Sequence, residues 1–337
     1  MAELVLGIGT SHGPLLSTPP DKWGLRAVDD RKNPRHYFKN RTWSFDELLK
    51  ARGADTFTGE ITPEARQRHY DACQAAIATL GDVFAETRPD VAVIFGDDQM
   101  EMFTEASIPA FSVFWGETID HAPPDAEHVA KMPPGITIAI PGHAPPQATA
   151  YRGVPELGRH IIEGLIADAF DVAAMKTIPA GHHGHPSAPH AYGFLYRQIM
   201  RDRVVPNVPV VLNTFYPPNQ PTVRRCYDFG RSVVRAIRSW KSDARVALIA
   251  SCGLTHFVID EEVDQIILEA MRTNDIDRLA ALGEATFQAG TSEVKNWIPV
   301  FGAMSDLGYK MTLVDYVPCY RSEAGTGNAM GFVHWRP

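Results

Sequence analysis

The 337-residue chain has few cysteines, little positive charge and no long apolar run, and each shortage excludes something. Its four cysteines, Cys73, Cys226, Cys252 and Cys319, are widely scattered with no CxxC pair. They read as reduced thiols in a cytoplasmic protein rather than as a disulfide framework. The 32 basic residues are outnumbered by 40 acidic ones, and the formal charge of -8 argues against a nucleic-acid partner. No apolar stretch reaches the roughly 18 residues that a membrane-spanning helix needs. The opening Met1-Ala2-Glu3-Leu4-Val5-Leu6 lacks the basic head and apolar body of a signal peptide, in keeping with a cytoplasmic location. Nucleotide-cradling motifs such as G-x-x-x-x-G-K-[ST] are missing, as are a G-x-S-x-G elbow and an H-E-x-x-H zinc motif.

What is present is a 45% hydrophobic chain with 26 prolines and 13 histidines, long enough for one large domain or two smaller ones. Short apolar runs end abruptly in polar or glycine-rich turns: residues 4–8, 91–95, 171–178, 208–212 and 245–250. Continuous apolar runs of this kind suit strands buried on both faces of a parallel or mixed sheet. Helical periodicity lies between them, clearest in 63–86, where Cys73, Ala76, Ile77, Leu80, Val83 and Phe84 share one face. The alternation predicts an α/β fold, a central mixed or parallel sheet flanked by helices, in one catalytic domain spanning 1–337. Two segments break the pattern. Residues 19–62 are rich in arginine and aromatics and read as an inserted, lid-like segment; residues 118–150 form a proline-rich excursion.

In open α/β sheets ligands bind beyond the carboxyl ends of the strands. The turns at those ends carry His12, Asp98 with Gln99, His182 with His183 and His185, Asn213, and Thr255 with His256. A lone turn histidine is commonly a hydrogen-bonded structural residue. Polar, titratable residues after nearly every strand point instead to an enzyme cleft, with a metal among the options.

The order of several short motifs resembles the type II (class III) extradiol ring-cleavage dioxygenases, the group of the protocatechuate 4,5-dioxygenase catalytic subunit and the gallate and 3-O-methylgallate dioxygenases. They are Thr10-Ser11-His12-Gly13-Pro14, Asp97-Asp98-Gln99, His183-Gly184, Tyr216-Pro217-Pro218, Arg225 to Gly230, Gly253-Leu254-Thr255-His256 and Asn328-Ala329-Met330-Gly331. The resemblance covers most of the chain. It implies Fe(II) held by two histidines and a carboxylate, with open positions for a catechol and O2.

Carried over residue by residue, His12 falls on the first histidine ligand, and Gln99 takes the place of the second. Asp228 falls on the carboxylate and His183 on the acid–base histidine, while Thr255 and His256 match a Ser-His pair near the substrate. An amide is a weaker donor to iron than imidazole, so Mn, Mg or no metal stay open beside Fe(II), and Asp98, His182 and His185 are further candidates to complete the site. The expected function is cleavage of a catecholic ring, carboxylated or methoxylated, with O2. The alternatives are a site converted to non-oxidative chemistry (hydrolase, decarboxylase or lyase) and a non-catalytic binding protein. A small aromatic substrate, no nucleic acid, no membrane and a homo-oligomer, most simply a homodimer, complete the expectation.

Overall fold

The apolar runs form strands whose alternate residues enter different cores. The computed structural model describes residues 1–337 apart from the side chain of His183. In chain order the strands are β1 (Glu3–Thr10), β2 (His36–Phe38), β3 (Arg41–Trp43), β4 (Val91–Asp97), β5 (Phe111–Phe114), β6 (Thr118–His121) and β7 (Thr149–Arg152). They continue with β8 (Ala173–Met175), β9 (Asn207–Leu212), β10 (Arg245–Ser251), β11 (His256–Val258), β12 (Lys310–Tyr320) and β13 (Thr326–Arg336). A nine-stranded mixed sheet has the order β11-β13-β1-β10-β4-β9-β5-β8, with β12 paired to β13. Successive side chains of a strand point to opposite faces. Val91, Val93 and Phe95 therefore join one core with the helices Val223–Ser239 and Trp297–Leu307. Ala92 and Ile94 join the other, under the helix Pro63–Thr87. The result is a single α/β domain.

Register places the site. Parallel β1, β10, β4 and β9 are aligned so that Thr10 faces Ser251, Phe95 faces Ala250 and Asp97 faces Leu212. The turns that follow these strands therefore open along one edge of the sheet, where an α/β fold binds its ligands.

The two irregular segments meet different fates. Residues 19–62 contain the helix Gly24–Lys32, the β2–β3 hairpin and the helix Phe45–Arg52, started by a capping box between Ser44 and Glu47. Asp30 pins this segment to the β12–β13 hairpin through Arg321, whose Nε and Nη2 donate to it at 2.5 and 2.8 Å. Residues 118–150 form the β6–β7 pair and, between its strands, the helix Ala126–Lys131 and a helical turn, Pro134–Thr137. Among the described residues no helix is long and apolar enough to cross a membrane.

Candidate metal centre and its cavity

At the carboxyl edge, four side chains from three parts of the sheet and one distant turn converge. His12 follows β1, Asp97 ends β4, Cys252 follows β10, and Glu293 comes from the 3-10 helix Ala289–Asn296. All four are buried, and one donor atom from each lies within 4.8 Å of the others. Close approach of the 3-10 helix to β11 requires glycine at 290, since a Cβ there would come within 2.3 Å of the His256 carbonyl oxygen.

Hydrogen bonds set the state of each donor. The Ser251 hydroxyl donates its one proton to the Ala191 carbonyl at 2.6 Å. The 2.9 Å contact between Ser251 Oγ and His12 Nδ1 must then have His12 as donor, which leaves Nε2 with a free lone pair. Burial, helped by the nearby His190, lowers the His12 pKa to about 3, so the ring is a neutral ligand. Burial and the adjacent Glu293 push Asp97 up to about 7. Burial would raise Glu293 too, but His256 at 3.1 Å overrides it and holds the carboxyl near 2. His256 is in turn raised: burial disfavours its charge, and Glu293 and the Leu254 carbonyl outweigh that.

This donor set fits a divalent cation. Two carboxylates share a buried space beside a neutral imidazole and the Cys252 thiol, whose sulfur lies 3.3 Å from Asp97 and 3.2 Å from Glu293 and has one proton to donate between them. The ionised form of Asp97 has too little positive charge around it, and a bound cation supplies what is missing. Imidazole with two carboxylates suits Fe(II), Mn or Zn better than a purely oxygen-ligating cage would.

The residues named from sequence fall into distinct places. Gln99 reaches the cluster, but its amide nitrogen donates to Asp97 at 3.0 Å and to Glu293 at 2.9 Å, and its oxygen accepts from the Tyr216 hydroxyl at 3.2 Å. It ties the carboxylates together, and Asp97, two residues earlier, brings the donor atom. Asp228 is not in the cluster. It lies exposed on the helix Val223–Ser239, whose buried stripe is Cys226, Phe229, Gly230 and Val233. Glu293 supplies the second carboxylate instead. Thr255 also turns away: its hydroxyl donates to Asp264 at 2.7 Å and accepts from the Asp260 amide at 2.8 Å, fastening a loop. Asp98 accepts from the Met102 and Phe103 amides, both at 2.7 Å, and shapes the turn after β4. His182 is exposed and pairs with Glu105 at 3.0 Å. The backbone of His183 sits in the 3-10 turn Gly181–His183, and its side chain lies outside the described residues.

His12 also opens onto a cavity of about 250 Å³. Its floor includes Glu101 and His190, and its roof is made by Pro124, Met132, Ile136, Ala139 and Ile140 of the proline-rich excursion. His190 Nδ1 is ion-paired with Glu101, whose other oxygen accepts the His190 amide at 2.7 Å. Burial works against charging either partner, but the pairing prevails: His190 rises to about 10 and Glu101 falls to about 2. The His190 ring stands edge-on to His12, with centroids 4.8 Å apart. The histidine run drew attention to 182–185, and His190 was missed. Glu293 and Glu101 were missed as well. Their only sequence signal is an acidic residue close to apolar ones, Glu293 four residues before Trp297-Ile298-Pro299-Val300-Phe301 and Glu101 between Met100 and Met102-Phe103.

A sheet edge with buried imidazole and carboxylate donors beside a ring-sized cavity defines a class, the α/β proteins that bring a metal and a small organic ligand together. The particular family follows from comparison: the profile of the family described as the catalytic LigB subunit of aromatic ring-opening dioxygenase matches residues 56–325, and the chain belongs to that family. The matched range contains Asp97, Glu101, His190, Cys252 and Glu293, while His12 precedes it. The chain is also 31% identical over 179 residues to gallate dioxygenase from Pseudomonas putida (strain KT2440), a match that covers 50% of this chain and 51% of the relative. The match thus spans about half the length of that curated relative.

Proposed function

We propose that the protein is an aromatic ring-cleaving dioxygenase acting on a catecholic ring, with a metal held by His12, Asp97 and Glu293. The observation that carries this reading is the convergence of those three donors, one of which, His12, lines a cavity sized for one ring, within a ring-opening dioxygenase family. Fe(II) is the metal we assign, and when bound it supplies the Lewis-acid and redox chemistry for joining O2 to the ring. The chain's own residues do the rest. Gln99 fixes the two carboxylates in one orientation, and Ser251 fixes the His12 tautomer, the outer support that metal ligands need. His190, held by Glu101 through Nδ1, keeps Nε2 for the ligand, so its positive charge stabilises a catecholate and its proton is available to a ring oxygen. His256 serves Glu293 as a charge partner. The roof formed by 118–150 shields the ring from bulk water.

Anaerobic purification with metal analysis, followed by O2 uptake on a panel of catechols, tests the reading. Stoichiometric iron and O2 consumption with a yellow ring-opened product are expected. Iron-free protein that consumes no O2 with any catechol after Fe(II) loading would sink it. The carboxylate-rich donor set favours one second reading, a non-oxidative enzyme with Mn or Mg, and that reading predicts tight Mn binding without O2 uptake.

A further inference from the structure

The fourth side chain of the cluster, Cys252, has surroundings unlike those of the other three cysteines. Cys226 is packed among apolar side chains, and Cys73 and Cys319 face each other with their sulfurs 3.7 Å apart. Cys252 is fully buried too, but its sulfur lies 3.3 Å from Asp97 Oδ1 and 3.2 Å from Glu293 Oε2. These are the oxygens that Gln99 leaves over, since its amide nitrogen holds Asp97 Oδ2 and Glu293 Oε1. His12 joins the set, one donor atom from each of the four residues lying within 4.8 Å of the rest. The sulfur has one proton for two ionised oxygens, so hydrogen bonding alone leaves one contact unanswered. A cation answers all four donors. With sulfur at about 2.3 Å and oxygen at about 2.1 Å from a metal, set at right angles, the two lie about 3.1 Å apart, close to the separations found here. The segment that delivers Glu293 also holds the sulfur in place. Asn296 Nδ2 donates to it at 3.2 Å, and Trp297 Nε1 donates to the Cys252 carbonyl at 2.6 Å. On the other side the Cys252 amide donates at 2.9 Å to the carbonyl of Thr10, two residues before His12. An N–H aimed at sulfur favours the thiolate form and fixes its direction, as the outer partners of metal ligands do.

We propose that Cys252 is a fourth ligand, bound as thiolate, and that its sulfur biases the centre toward Fe(II), Co(II) and Zn(II) over Mn(II) and Mg(II). The inference rests on the metal centre proposed above and names the donor that decides between its iron and its manganese or magnesium readings. On binding, the S–H bond breaks, its electron pair forms the metal–sulfur bond and the proton passes to solvent. Soft sulfur makes up for the imidazole that Gln99 does not supply, and hard ions such as Mn(II) and Mg(II) gain little from it. Anaerobic titration of the metal-free protein with Co(II), followed by ultraviolet–visible absorption, tests the assignment without turnover. One equivalent is expected to bind with a sulfur-to-cobalt charge-transfer band in the near ultraviolet, and Cys252→Ser is expected to bind Co(II) without that band. A parent protein that takes up one equivalent without the band, or a band that survives in Cys252→Ser, would overturn the proposal while leaving the His12–Asp97–Glu293 centre intact. The parent spectrum carries this test even if the variant fails to fold. Stoichiometric uptake of neither Co(II) nor Fe(II) by the parent would remove that centre, and this inference with it. Competition between Co(II) and Mn(II) reads the selectivity. The preference for Co(II) should fall about tenfold or more in Cys252→Ser, and an unchanged preference would overturn the role given to sulfur.

Discussion

Two histidine–glutamate pairs flank His12, and they differ in what surrounds them. His190 and Glu101 form a closed pair: the glutamate meets the histidine ring with one oxygen and its amide with the other. His256 and Glu293 form an open one, because Glu293 also receives Gln99 and Cys252, and a second carboxylate, Asp97, is held beside it. Charge balances at the first pair and is in excess at the second. A cation is therefore wanted on the Asp97–Glu293 side of His12, and an organic ligand suits the side where charge is already settled. The same residue types thus take opposite roles, and the extra carboxylate decides which.

The largest effect that would sharpen this contrast is on turnover. Glu101→Gln should lower kcat by about 10²–10⁴, the range for loss of a positioned acid–base group, while Fe(II) affinity measured by calorimetry stays within about threefold. A parallel fall in iron affinity would break the division between the two pairs. Next comes the tie that keeps the open pair together. Gln99→Ala should weaken metal binding by about 10–100-fold, as loss of an outer partner does, and a chelator competition assay reads this directly. Unchanged affinity would mean that the amide does not organise the carboxylates.

The smallest effect lies outside both pairs. Burial raises Asp264 to about 7, against roughly 3.9 when unfolded. The native state then binds more protons than the unfolded state between about pH 4 and 7. Stability from this group accordingly falls as pH rises through that window, by at most about 1.4 kcal/mol per pH unit, and levels off above it. Asp264→Asn should flatten that part of a urea-denaturation profile without changing metal affinity. A slope that survives the substitution would assign it to another group.

Much of this was visible in the sequence because it was local. The apolar runs marked the strands, the rule that ligands sit at strand ends picked out His12 and Asp98 with Gln99, and the family resemblance added the Asp97-Asp98-Gln99 triplet. Within the triplet the family pattern drew attention to residue 99, yet strand geometry turns Asp97 inward and leaves Gln99 as its partner. Asp228 was misplaced because motif spacing along a helix does not say which face is buried; the stripe of Cys226, Phe229 and Val233 does, and Asp228 is off it. Glu293 could not be read from local pattern at all. It approaches Asp97 from 196 positions along the chain, through a 3-10 helix whose path depends on tertiary packing. The two irregular segments show the same limit. The arginine-rich 19–62 stretch resembled a lid but is fastened by the buried Asp30–Arg321 bridge, and the roof comes from the proline-rich 118–150 stretch, which has few charges to fasten elsewhere.

Anaerobic titration of Fe(II) into the metal-free protein, beside its Asp97→Asn variant, bears most directly on the proposed centre. Our account predicts one tight site in the parent protein and at least a 100-fold loss in the variant, because Asp97 supplies the ligand that the family pattern assigns to position 99. Equal iron affinity in the two proteins would contradict it.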